Sequence, residues 1–109
     1  MMEYRVEYYP AALEDLLSIY AYIAFDLMAE QAATNQVNRI REAIRRLNVF
    51  PEKHERVTWE PWASMGMRFV PIDRYIAYYI VDEAASTVSV VRVFYGGRDV
   101  QGIVRDEME

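Results

Sequence analysis

Arginine is the residue type in this chain best suited to chemistry. Eleven of the twelve basic residues are Arg, and the other is Lys53. A guanidinium offers a planar fork of donors that fits carboxylate, phosphate or aromatic partners better than an ammonium does. Arg92 stands in the middle of the apolar run Thr87 to Tyr95, with Val88, Val90 and Phe94 in its alternation set. There it must face solvent, a partner or a carboxylate, because burying it unpaired is costly. Arg68, Arg74 and Arg98 fall at or near the ends of neighbouring apolar runs. If those runs pair as strands, several of these guanidinium groups and Tyr95 converge on one concave face suited to a phosphate or an acidic peptide. An exposed sheet face with scattered charges is the alternative of equal weight.

Beyond Arg the sequence offers little chemistry. The single histidine, His54, lies between charged residues and reads as solvated, and there is no Cys. No nucleophile elbow, Gly-rich phosphate loop or pair of ligands at metal spacing is present, so nothing calls for a cofactor or a metal. Asp73, Asp82 and Asp99 sit where turn chemistry accounts for them. Trp59 and Trp62, close to Met65, either close the edge of the core or serve as exposed anchors for a partner.

The elements that must position these residues follow from periodicity. Tyr4, Val6 and Tyr8 alternate with Arg5, Glu7 and Tyr9 as in a half-buried strand. Pro10 opens a helix whose apolar residues are Leu13, Leu16, Leu17, Tyr20, Ile23, Ala24 and Leu27. After a polar break at Glu30 and Gln31, Ala33, Val37, Ile40, Ile44 and Leu47 define a second helix. The short connection makes the two an antiparallel hairpin. Phe50-Pro51 stops it, and a loop carrying His54, Trp59 and Trp62 follows. Strands are expected from Met65, over Tyr75 to Asp82, and over Thr87 to Tyr95, with Pro71 marking a bulge or an edge. The tail from Arg98 to Glu109 is expected to be a short helix or frayed. The fold class is α+β: a helix hairpin on one face of a small, mainly antiparallel sheet in the order β-α-α-β-β-β, with the other face open for function.

The 109 residues, 53% of them hydrophobic, suit a single domain spanning 1–109. No apolar run is long enough for a membrane span or a signal peptide, so the expected compartment is cytoplasmic. A net charge of −5 argues against a non-specific nucleic-acid binder. Residues 1–35 hold one Arg and six acids, 36–56 six basic residues and three acids, and 57–109 five Arg and eight acids.

Five motifs in order resemble the RelE/ParE superfamily of toxins from bacterial type II toxin-antitoxin (plasmid stabilization) modules. They are Ala12, Asp15, Leu16, Ile19, Tyr22 and Ile23 on the first helix; Leu47, Phe50 and Pro51 at the hairpin end; Arg68, Val70, Pro71, Ile72 and Tyr75; the strand ending at Tyr79; and Arg92, Val93, Tyr95, Gly96, Arg98 and Asp99. The resemblance covers nearly the whole chain. It implies a growth-inhibiting toxin, a cognate antitoxin encoded beside it, and a target in translation or DNA topology.

Within the resemblance, two branches imply different mechanisms. The RelE branch implies a ribosome-dependent mRNA endonuclease in which the RNA 2′-hydroxyl attacks its own phosphate, here with Arg68, Arg92 and Tyr95 as catalytic residues. That branch needs an Arg where this chain has Ile76, and its paired lysines give way to Met67 and Phe69. The ParE branch, which poisons DNA gyrase by binding it, fits the strand motifs better and is the preferred reading, with Arg74, Arg98, Trp59, Trp62 and Met65 as target- or antitoxin-binding residues. A degenerate member that only binds a partner is the third reading, and the acidic balance supports it.

Overall fold

The computed structural model describes residues 3–107. The chain forms β1 (Arg5–Tyr8), α1 (Pro10–Ala21), a π-helical turn (Tyr22–Asp26), α2 (Glu30–Arg45), short 3-10 turns at Arg46–Asn48 and Pro51–Lys53, then β2 (Arg68–Ile72), β3 (Tyr75–Asp82), β4 (Thr87–Tyr95) and α3 (Val100–Glu107). The strands form one sheet in the order β1-β4-β3-β2. β1 runs parallel to β4, and the other pairings are antiparallel. Two hairpins cost little chain to close, whereas the parallel β1–β4 pair requires the long crossover that the helix hairpin supplies. Pro71 lies on β2, an edge strand, where a missing N–H does least harm.

Pro10 at the first helical position supplies the fixed φ that starts α1. The hairpin packs on one sheet face, where Ala12, Leu16, Ile40, Ile44 and Leu47 meet Val70, Ile72, Ala77, Tyr79, Val88, Val90 and Val93. Ala33, Ile40, Ile44 and, in the turn after α2, Leu47 are buried and Val37 is half-buried, while Arg39, Arg41, Arg45 and Arg46 are exposed. The α1 stripe is narrower than the sequence implies. Ala12 is fully buried and lets the helix lie close to the sheet, which turns Leu13 and Leu17 out to solvent, and Leu27, past the π-helical turn, is exposed as well. Among the described residues no helix is long and apolar enough to cross a membrane.

The second sheet face is not open. A further core of Val57, Trp62, Met67, Tyr78, Phe94, Val100 and Val104 covers it with the Trp-bearing loop and α3. The tail is thus helical through Glu107, and Met108 and Glu109 lie outside the described residues. The strand expected from Met65 begins at Arg68 instead, with Met65 left exposed in the preceding turn. The irregularity in the sheet also falls elsewhere than at Pro71. Tyr78 pairs with Arg92 but Tyr79 with Val90, so Val91 is an extra residue in β4. That bulge breaks the alternation set assigned to Arg92: Val88 and Val90 face the hairpin, while Phe94 faces the second core.

Candidate functional site

A cleft of about 1200 Å3 opens between α1, α2 and the β3–β4 end of the sheet. Its position follows from the shortness of β1. Tyr8 pairs with Val90, and past that point the chain turns into α1 and the outer edge of β4 has no strand beside it. Arg74, Tyr75, Arg92, Tyr95 and Arg98 line the strand side, and Ile19 and Ile23 belong to the helical wall. The fold therefore brings together four of the polar candidates, Arg74, Arg92, Arg98 and Tyr95.

Arg68 is not among them. It starts β2 opposite Tyr79, whereas Tyr95 lies opposite Tyr75, two strands away and four residues further along β3. With the usual strand rise and spacing the two backbones are about 16 Å apart. The Arg68 guanidinium instead donates to the carbonyls of Glu52 and His54, at 2.9 and 2.7 Å, and clips the loop after the hairpin. The nearby Tyr79 hydroxyl donates to the Pro51 carbonyl at 2.6 Å, and burial pushes the pKa of this phenol up. Arg74, Arg92 and Arg98 thus share one cleft with Tyr95, and Arg68 is the strand arginine that lies apart from it.

Arg92 is inside the cleft wall but is already paired. Its Nε and Nη2 donate to the two carboxylate oxygens of Asp15 on α1 at 2.8 and 3.0 Å, and Nη1 reaches both oxygens of Glu107 on α3 at 2.9 and 2.7 Å. Asp15 also accepts the Val93 backbone N–H at 2.9 Å, so one carboxylate closes the open edge of β4 and neutralises the cation beside it. The side chains of Arg92 and Asp15 are only 16% and 13% exposed. The guanidinium also lies 4.4 Å from the centre of the Phe94 ring. Asp15 and Glu107 were not assigned roles from sequence, since 77 and 15 residues separate them from Arg92. The signal that points to them is an arginine in an apolar strand that must find a carboxylate.

Arg74 and Arg98 differ from Arg92. Both are exposed, and among the described residues neither has an acidic partner. The Gly96 N–H donates to the Arg74 carbonyl at 2.7 Å, which ties the turn after β4, where Arg98 lies, to the β2–β3 turn that carries Arg74. A side chain at Gly96 would approach that carbonyl to 3.2 Å, and one at Gly97 would meet the Tyr95 ring at 2.8 Å. Gly97 thus leaves room for the ring of Tyr95, which lies edge-on to Tyr75 at 5.8 Å. Burial, with a smaller contribution from Tyr95, pushes the Tyr75 phenol up. Ile76 belongs to the second core and adds nothing polar.

The loop candidates separate as well. Trp62 is buried, stacked on Trp59 with ring centres 5.0 Å apart and packed on Tyr78 at 4.8 Å. Core packing therefore accounts for Trp62, and Trp59 is half-buried on top of it. Met65 keeps 50% of its surface exposed, beside a smaller groove that Arg92 and Glu107 also line. Among the described residues no cluster of His, Cys, Asp or Glu is arranged to hold a metal.

A four-stranded mixed sheet under a helix hairpin, with an arginine-lined cleft at the end of its last strand, defines a RelE/ParE-like toxin fold. Residues 6–100 match the model of the ParE toxin of type II toxin-antitoxin systems, and the chain belongs to that family. Similar solved structures share the fold. The chromosomal ParDE system of P. aeruginosa aligns over 85% of this chain and 96% of its own, with 20% identity and a TM-score of 0.71. The RelBE2 toxin-antitoxin complex of Mycobacterium tuberculosis aligns over 87% and 93%, with 19% identity and a TM-score of 0.62. The archaeal RelE-RelB complex of Pyrococcus horikoshii aligns over 89% and 99%, with 18% identity and a TM-score of 0.60. No curated protein gives a significant match.

Proposed function

We propose that this toxin inhibits growth by binding DNA gyrase, not by cleaving RNA, and that a cognate antitoxin holds it in check. The observation that carries this reading is the pairing of Arg92. An RNA phosphodiester cut by its own 2′-hydroxyl passes through a dianionic phosphorane, which needs several fixed cations aimed at it. Here Arg92 is neutralised by Asp15 and Glu107, Arg68 is turned away under the loop, and Ile76 is apolar. Arg74 and Arg98, exposed at the cleft mouth, are left to contact the target.

One observation favours the endonuclease as a second reading. Tyr95 is 46% exposed and stands with Arg74 and Arg98 in the same cleft, so a phenol and two cations do meet there. Purified toxin added to gyrase and relaxed plasmid separates the two. Loss of supercoiling, reversed by the antitoxin and weakened by Arg74→Ala or Arg98→Ala, supports the binding mechanism. Full supercoiling at excess toxin rejects it.

A further inference from the structure

Seven of the ten large hydrophobic residues exposed on the described surface fall between Tyr9 and Met28. Leu13 and Leu17 are four positions apart and so share one side of α1. The π-helical turn then matters. Its wider turn takes more residues per revolution, so Phe25 comes round under Leu17 and does not drift to the flank. Leu13, Leu17 and Phe25 are 49%, 69% and 65% exposed. The resulting ridge, from Leu13 to Phe25, is roughly 18 Å long at the usual helical rise, the span of about three turns of a partner helix. It is distinct from the hairpin face that packs on the sheet, and an apolar stretch of this kind marks an interaction surface.

The charge around the ridge indicates what covers it. From Val6 to Asn38 the chain has no Lys or Arg, while Glu7, Glu14, Asp15, Asp26 and Glu30 are acidic. Asp15 is taken by Arg92, but Glu14 and Asp26 are exposed and among the described residues have no cationic partner. A second copy of the chain laid on this face would bring like carboxylates together, and an anionic lipid surface would be repelled. We infer that the Leu13–Leu17–Phe25 ridge docks a basic amphipathic helix of a protein partner, whose leucine-like anchors meet the ridge while Lys or Arg pair with Glu14 and Asp26. This rests on the toxin reading in one respect: it makes the toxin-binding helix of the antitoxin cationic, which matches the chain's net charge of −5.

The test uses the full chain and two fluorescent peptides of about 18 residues, a length that covers the ridge. One carries leucines on one helical face and lysines on the other, and its twin carries glutamates in place of lysines. The lysine peptide binds more tightly, and the preference shrinks as salt rises. Leu13→Ala with Leu17→Ala weakens it by about tenfold or more, with no large change in melting temperature because both side chains are exposed. Glu14→Lys with Asp26→Lys reverses the preference between the peptides. Equal binding, preference for the glutamate peptide, or no binding by either overturns the proposal. So does a dimer that the leucine substitutions dissociate, or tighter binding to phosphatidylglycerol vesicles than to the lysine peptide. Antitoxin capture that ignores the leucine substitutions overturns the ridge assignment but leaves the toxin reading standing, whereas no antitoxin capture at all defeats the partner reading itself.

Discussion

Asp15 on α1 and Arg92 on β4 are joined by two hydrogen bonds of 2.8 and 3.0 Å, and the same carboxylate accepts the Val93 backbone N–H. A helix, a strand edge and a cation are thereby fixed by one side chain. The pairing explains how an arginine is tolerated in an apolar strand, and it removes that arginine from the cations free to act on a substrate.

Breaking this pair from either side is expected to destabilise the fold. Asp15→Ala leaves Arg92 with Glu107 alone and orphans the Val93 N–H. Removing one partner of a buried pair costs about 3 kcal/mol at the lower end of the usual range, and a chain of this size loses roughly ten degrees or more of melting temperature for that. Thermal unfolding followed by circular dichroism checks it. A melting temperature unchanged by Asp15→Ala would show that the pair has no structural role. Loss of toxicity in Arg92→Ala is therefore meaningful only with a melting curve beside it.

Tyr79→Phe removes the donor to the Pro51 carbonyl and leaves that oxygen unsatisfied at the end of the hairpin. The expected loss is about 1–3 kcal/mol, read as a lower urea midpoint with an unchanged slope. Phe50, which precedes Pro51, has a φ of 48° in the left-handed region. Phe50→Gly is expected to cost less than Tyr79→Phe, because glycine adopts that conformation without strain.

The pH dependence near neutrality is assigned to His54. Burial first, then the charges of Lys53 and Arg68, push its pKa below the ordinary value. The folded state thus binds a proton less readily than the unfolded chain, so stability is fully present above the unfolded pKa, roughly 6.5, and falls as pH drops through the folded value. His54→Asn is expected to flatten the stability curve in the mildly acidic range. Asp73, held low by hydrogen bonds from Arg39 and Gln36, contributes its share only at lower pH. Denaturant titrations over this range for both proteins separate the two effects.

Much of the fold was legible in the sequence because its signals are local. The Pro10 start, the Ala33–Leu47 stripe and the alternating strands each depend on neighbours within a few positions. What depended on distant partners was not legible. The covered second face required knowing that Val100 and Val104 meet Met67 and Phe94. The bulge at Val91 changed the face of Phe94 relative to Val88, and strict alternation cannot register an inserted residue. At the site, the grouping of Arg74, Tyr95 and Arg98 followed from neighbouring strand ends, with Arg92 three residues before Tyr95 on the same strand. The remoteness of Arg68 and the pairing of Arg92 with Asp15 depended on register and on helix placement.

Arg74 and Arg98 are expected to matter for the target and not for the fold. Both are exposed and lack acidic partners among the described residues, so their alanine variants should melt within a few degrees of the parent chain. Losing a charge-assisted contact at the interface should weaken binding to the target by about tenfold or more. Surface plasmon resonance against immobilised gyrase measures it. Unchanged affinity in the double variant would move the contact surface elsewhere.

The central claim, inhibition by binding and not by RNA cleavage, is tested most directly by mapping mRNA 5′ ends at single-nucleotide resolution in cells minutes after induction of the parent chain and of Tyr95→Phe. The account predicts no new codon-phased ends in either culture, equal growth arrest by both, and plasmid that loses negative supercoils. Codon-phased cuts at the ribosomal A site that vanish in Tyr95→Phe, with plasmid topology unchanged, would contradict it.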